Sequence, residues 1–251
     1  EFDDAIKAGE FKMYLQPQIS AKTRRLTGAE ALVRRIKPDG TIISPIDFIP
    51  VYEKSGLISR LDRYIWEQAA AKLGEWKKAG INMSISVNIS PKDFYYIDIF
   101  NTFAGLIKKY DIEPSNLKIE ITETTIMSDV PNLMGELEEL RKAGFTLEMD
   151  DFGSGYSSLN TLKDINVDVL KVDMGFIKET KNVKKSRIIL ASVIKMAKEL
   201  NLLIITEGVE TEEQVDNLTK LGCDVFQGYY FSKAIDVNEF EKRYLYRKKA
   251  G

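Results

Sequence analysis

Residues 11–35 read FKMYLQPQISAKTRRLTGAEALVRR, and the architecture turns on how this stretch folds. Residues 11–18 and 26–35 both have strand character, and only a short polar segment, residues 20–25, joins them. Parallel neighbours need a crossover of about a dozen residues or more, usually a helix, so these two strands are expected to pair as an antiparallel hairpin. Glu30 and Arg34 stand an even number of residues apart on the second strand and therefore share one face.

Downstream the pattern alternates. Helical stretches at 58–79, 91–110, 131–143, 156–162, 186–200 and 212–221 are interleaved with strands at 83–89, 117–122, 146–150, 167–172, 202–206 and 224–227, and one more helix closes the chain. The 186–200 stretch carries Ile189, Val193, Met196, Ala197 and Leu200 at helical spacing. About eight strands with helices between most of them predict an α/β fold, a modified TIM (β/α)8 barrel with an irregular start. An open doubly wound sheet is the alternative. No linker interrupts the pattern, so residues 1–251 read as a single domain. The chain starts at Glu1 rather than Met, inside an amphipathic segment (Phe2, Ala5, Ile6), and is expected to be a module of a longer protein.

Composition narrows the chemistry. With 36 basic against 38 acidic residues the net charge is −2, which argues against a duplex nucleic-acid binder, since that needs a basic surface to displace counterions. A single cysteine, Cys223, rules out an internal disulfide, fits a reducing compartment, and reads as a small buried apolar residue. No apolar run has the length of a membrane span and no signal peptide opens the chain, so a cytoplasmic location without membrane contact is expected. There is no histidine, which excludes His-based triads and imidazole metal sites. Any metal must be held by oxygen, which favours Mg²⁺, Mn²⁺ or Ca²⁺.

Strand after strand ends in a polar residue: Asn88, Glu120, Asp150–Asp151, Lys171, Glu207 and Gln227. In an α/β barrel these ends face one mouth, so the groups should converge. Helix capping is the ordinary use of such residues, but Ser90–Pro91 and the Thr211/Gln214 capping box are expected to supply the caps after Asn88 and Glu207. Five carboxylates (Glu30, Glu120, Asp150, Asp151, Glu207) brought together without cations would repel. Two divalent ions would nearly neutralise them, and such a pair suits in-line displacement at phosphorus. Lys171 could hold the attacking water or screen phosphate charge, and Asp173 lies on its face of the strand.

These residues sit in blocks that resemble the EAL domain family over essentially the whole chain. The blocks, in the family's order, are Tyr14-Leu15-Gln16-Pro17, Gly28-Ala29-Glu30-Ala31-Leu32-Val33-Arg34, Ser86-Val87-Asn88-Ile89-Ser90, Glu120-Ile121-Thr122-Glu123, Asp150-Asp151-Phe152-Gly153-Ser154-Gly155-Tyr156-Ser157-Ser158, Leu170-Lys171-Val172-Asp173, Glu207-Gly208-Val209-Glu210 and Gln227-Gly228-Tyr229. Departures are few: Arg35 replaces a common tryptophan, Asn166 and Ala234 replace frequent prolines, and Ser154 replaces a frequent threonine.

The resemblance implies a barrel with an antiparallel first strand that hydrolyses cyclic di-GMP to linear 5′-pGpG, water attacking in line between two metal ions. Mg²⁺ or Mn²⁺, two per site, would serve, and Ca²⁺ would inhibit. Glu30, Asn88, Glu120 and Asp150 would hold the first ion, and Asp150, Asp151 and Glu207 the second. Lys171 would sit against the water, and Gln227 would orient the metal-bound shell through water. Gln16, Arg34, Asp173 and Glu210 are the implied dinucleotide contacts, with a salt-bridge role open for Asp173 and Glu210. Glu123 would brace the loop after Asp150. The resemblance also implies a homodimer and a fused sensory or GGDEF-type domain in the full-length protein. Two other functions stay open: a catalytically silent cyclic di-GMP receptor, and a lyase using Lys171 as a Schiff-base amine.

Overall fold

The computed structural model describes residues 1–128, 130–153, 162–175 and 183–246. Its strands are β1 (Phe11–Ser20), β2 (Leu26–Ile36), β3 (Ile42–Ile43), β4 (Ile85–Ile89), β5 (Leu117–Thr122), β6 (Leu147–Asp150), β7 (Val169–Asp173), β8 (Leu203–Glu207), β9 (Val225–Phe226) and β10 (Ile235–Asp236). The 11–35 stretch forms the expected hairpin, with Gln16 opposite Glu30 and Phe11 opposite Arg35. From β2 onward, β4 to β9 run parallel, and β9 returns to β1 through Ile19↔Phe226 and Ser20↔Val225. The sheet therefore closes into an eight-stranded barrel in which β1 alone runs against its neighbours, while β3 and β10 extend its edges.

Alternation along the strands sorts residues between two cores. Outward-facing Ile85, Val87, Ile89, Ile119, Ile121, Leu147, Met149, Leu170 and Val172 are buried against a shell of helices. The longest helix, Ile58–Lys78, presents Leu61, Ile65, Trp66, Ala69, Leu73 and Trp76, a stripe at three- and four-residue spacing. Trp66 packs on Phe103 of the helix Ile99–Tyr110 with ring centroids 4.9 Å apart. Inside the barrel, Val169, Ile205 and Val225 form a small separate apolar cluster. Most other interior positions are polar, and those polar positions lead up to the mouth.

Several expectations are corrected in detail. Residues 91–110 are not one helix: Asp93–Tyr96 and Ile99–Tyr110 are separated by an extended Ile97, and Asp98 caps the second by accepting from Asn101 N at 3.0 Å. Ser90 and Pro91 do not start a helix. They form a turn in which Asp93 Oδ2 accepts from Ser90 N at 2.7 Å, because an aspartate three residues on offers the backbone a competing acceptor. In the helix Val183–Glu199 the buried seam is Leu190, Ile194 and Ala197, one position on from most of the expected stripe, and Leu200 is exposed. The capping box of Thr211 and Gln214 is present as read. The helix Pro45–Ser55 was not anticipated, since Pro50 sits inside it. Most of the expected helix at 156–162 lies outside the described residues.

Candidate active site

The ammonium of Lys171 is the centre of the barrel mouth. Lys171 is fully buried on β7, and its Nζ lies 2.9 Å from Glu207 Oε1, 3.0 Å from Glu120 Oε2, 3.2 Å from Asp150 Oδ1 and 3.4 Å from Glu30 Oε2. The acids come from β8, β5, β6 and β2, so one lysine gathers carboxylates scattered over 178 positions of chain, from 30 to 207. Strand register accounts for the convergence: Asn88 stands opposite Glu120, Thr122 opposite Asp150, and Asp173 opposite Glu207.

A ring of amides completes the site. Asn88 Nδ2 donates to Glu30 Oε1 at 3.3 Å, and Gln227 Nε2 donates to Glu30 Oε2. Gln227 also donates to Gln16 Oε1 at 3.2 Å and accepts from Gln18 Nε2 at 3.3 Å. Because β1 is reversed, Gln16 reaches the site from mid-strand, opposite Glu30. Trp66 Nε1 holds the carbonyl of Asn88 at 2.9 Å and so fixes the end of β4.

One cation among four close carboxylates leaves negative charge in excess. Burial alone would favour neutral Lys171, but Asp150, Glu120, Glu207 and Glu30 outweigh it and hold the ammonium well above its ordinary range. Three of the carboxyls are raised as well, so these acids favour their neutral form. Burial, then the charge of Glu30, pushes Glu120 well up, and burial pushes Glu207 up to about 8. Burial and the adjacent Asp150 raise Asp151. Neither oxygen of Glu120 receives a directed hydrogen bond among the described residues, so the 3.0 Å approach to Lys171 is a charge contact only.

This donor set fits hard divalent cations: carboxylate and amide oxygens, buried, short of positive charge, with the oxygens of Glu30, Glu120 and Asp150 all within 3.4 Å of one point. Among the described residues no three acidic or thiol side chains form a ready-made metal cage, since the Lys171 ammonium fills the space between them.

The remaining predicted residues are placed as follows. Asp151 follows directly in a left-handed conformation (φ 54°), its amide donating to Asp150 Oδ1 at 2.9 Å. Arg34 lines a cleft of about 630 Å³ together with Glu30, Asn88 and Trp66, and its Nη1 donates to the Val33 carbonyl. Asp173 accepts from Gly175 N at 2.6 Å. A side chain at Gly208 would come within 3.1 Å of Asp173 Oδ1, and φ there is +67°, so the turn after Glu207 needs glycine. Glu210 is exposed on the loop before the helix Glu212–Leu221. Glu123 is buried at the start of the helix Glu123–Ile126, directly after β5; residues 154–158 of the loop it was expected to brace lie outside the described residues.

Sequence reading missed a lower tier. Glu148 is fully buried, with Lys118 Nζ 2.9 Å from its Oε1 and Ser86 Oγ 2.9 Å from its Oε2. Burial opposes its ionisation, but Lys118 prevails and holds it below the usual range. The signal was present in the even spacing from Asp150, Glu120 and Asn88.

Fold and site together define an α/β-barrel protein with an acidic mouth suited to divalent cations. The chain belongs to the EAL domain family, whose model matches residues 1–234. Among curated relatives it is 36% identical over 239 residues to the signaling protein YkoW of Bacillus subtilis, covering 95% of this chain and 30% of that protein. It is 33% identical over 236 residues to the bifunctional diguanylate cyclase/cyclic di-GMP phosphodiesterase MucR of Pseudomonas aeruginosa, covering 94% of this chain and 34% of that one. The chain thus spans about a third of the length of these relatives. A solved structure of the MucR phosphodiesterase in complex with c-di-GMP superposes with a TM-score of 0.88 at 32% identity, covering 95% of this chain and 97% of that one.

Proposed function

We propose that this chain hydrolyses one phosphodiester of cyclic di-GMP and releases linear pGpG. The observation that carries the reading is the contact of four carboxylates, two buried and two half-buried, with the single ammonium of Lys171 beside a roomy cleft. Likeness to MucR, named a cyclic di-GMP phosphodiesterase, supplies the substrate.

In this reading Glu30, Asn88, Glu120, Asp150, Asp151 and Glu207 would hold two Mg²⁺ or Mn²⁺ ions. Bound there, the ions would activate water and stabilise charge on the phosphoryl group. The chain's own residues orient the reaction. Lys171 Nζ offers its protons to the attacking water or to a phosphate oxygen. The Arg34 guanidinium reaches two phosphate oxygens from the cleft wall, a geometry its planar fork favours. Gln16 and Asp173 border the dinucleotide, and Gln227 keeps Glu30 aimed. Water forms a new P–O bond as the P–O3′ bond breaks, and O3′ leaves as a hydroxyl with a proton from water, so the phosphate stays on the 5′ side of the product.

The test is chromatography of cyclic di-GMP incubated with the protein and Mg²⁺ or Mn²⁺, with chelator as control. A pGpG peak that chelation abolishes is expected. Cyclic di-GMP that binds yet stays intact with both metals would replace this reading with that of a receptor.

A further inference from the structure

The ion pair beneath the site calls for its own account. Replacing a buried ion pair with apolar residues is often neutral or stabilising, so Lys118–Glu148 is poorly explained as a source of stability. Its position is more telling. Ser86, Lys118 and Glu148 lie on β4, β5 and β6, and each stands two residues before a proposed ligand on the same strand face: Asn88, Glu120 and Asp150. Glu148 accepts from Ser86 Oγ at 2.9 Å across the intervening β5, and meets Lys118 Nζ of that strand at 2.9 Å. Ser86 and Glu148 are fully buried, and the Lys118 side chain is 17% exposed. The three residues tie three neighbouring strands together one tier below the groups that would share a cation.

We infer that the Ser86–Glu148–Lys118 tie is a positioning device for the metal ligands Asn88, Glu120 and Asp150, setting the relative heights of β4, β5 and β6 at the mouth. Glu148 is a positioning residue and touches neither substrate nor metal. In the β5–β6 register it stands beside Glu120, whose carboxylate receives no directed hydrogen bond of its own. Apart from the 3.0 Å ion pair of its Oε2 with Lys171, Glu120 depends for its placement on the β5 backbone that the tie holds between β4 and β6. This inference rests on the phosphodiesterase reading for the identity of the ligands.

The test is Mn²⁺ titration by calorimetry, which needs no turnover. In the double variant Lys118→Met/Glu148→Leu no charge is left unpaired, and the expected result is a folded protein whose Mn²⁺ dissociation constant rises at least about 10-fold, the scale on which outer-shell partners act. Glu148→Gln, which can still accept from Lys118 and donate to Ser86, should lose less than about threefold, since it keeps the geometry. A double variant that folds and binds Mn²⁺ within about threefold of wild type overturns the inference, because the outer-shell effect would be missing. Should it not fold, Ser86→Ala decides: a weakened Mn²⁺ affinity supports the tie and an unchanged one sinks it. Wild type that binds no Mn²⁺ would sink the metal reading itself, which separates that failure from this one.

Discussion

Lys171 Nζ and Glu207 Oε1 stand 2.9 Å apart on neighbouring strands, and both groups are held toward their protonated forms, the lysine by the surrounding carboxylates and the glutamate chiefly by burial. The lysine is kept protonated by its acids, while burial holds Glu120 and Glu207 toward the neutral form. Removing the lysine removes the only cation in contact with four carboxylates among the described residues. Lys171→Met should lower kcat by about 10²–10³-fold, the range for a lost donor to developing charge. It should also make the chelated protein's melting temperature fall, with Mn²⁺ restoring more of it in the variant than in wild type. Calorimetric melts with and without Mn²⁺ check this, and an unchanged chelated melt would count against the described cluster.

A pH dependence follows from Glu207. Its folded pKa of about 8 lies above the ordinary glutamate value of 4.5, so the folded, metal-free state binds more protons than the unfolded state between these values. That contribution is complete below about pH 4.5 and is lost as pH rises through about 8. Glu120 and Asp151 are shifted in the same direction. Chelated protein should therefore melt progressively lower from pH 6 to pH 8.5, each kcal/mol of loss costing about 2–4 °C in a domain of this size. Saturating Mg²⁺ should flatten that slope, since the cation takes the place of the protons. A chelated melt that rises over this interval contradicts the electrostatics.

Glu30→Ala and Asp150→Ala should each reduce turnover at least ~100-fold through loss of a metal ligand while the fold survives. Steady-state kinetics with a circular dichroism control measure both halves. Wild-type rates in either variant would remove these residues from the ligand set.

Ca²⁺ is larger and less demanding in geometry than Mg²⁺. It should support cyclic di-GMP binding, read by calorimetry, while turnover stays at background. Equal rates in Ca²⁺ and Mg²⁺ would contradict a site that has to align water and phosphate closely.

Arg35 tests stability apart from chemistry. It is 9% exposed, with Nε 2.9 Å from Glu10 Oε2, Nη2 3.2 Å from Glu1 Oε1, and Nη1 3.3 Å from the Tyr52 hydroxyl. Arg35→Met leaves the largely buried Glu10 without its cation, at a cost of about 3 kcal/mol. Urea unfolding measures it, and a loss below about 0.5 kcal/mol, as for ordinary surface changes, would show the contact to be incidental.

The barrel and most of its site were legible because strand alternation is a two-residue code and the polar residues break it at consistent places. Glu30, Glu120, Asp150, Lys171 and Glu207 each interrupt an apolar strand, and the short link between β1 and β2 left only a hairpin. What escaped was set by tertiary context. β3 and β10 are two residues long and exist only as extensions of longer neighbours. The break at Ile97–Asp98 follows from a cap that a continuous apolar pattern hides. Glu148 and Lys118 lie two residues short of the polar positions that mark the strand ends, in a barrel interior that is filled in tiers.

The reversal of β1 has a mechanical meaning. In an all-parallel barrel the first strand climbs from the floor, and whatever leads into it is anchored a full barrel height below the reactive rim. Here the first strand descends, with Phe11 level with Arg35 at the upper end of β2. The amino-terminal helix Phe2–Lys7 consequently packs beside the rim: Phe2 lies tilted against Phe11 and edge-on to Tyr52, and Asp3 pairs with Arg60. Through the 3.2 Å ion pair of Glu1 with Arg35 and the Phe2–Phe11 contact, that helix adjoins the neighbour of Arg34 in the cleft without crossing the barrel at all.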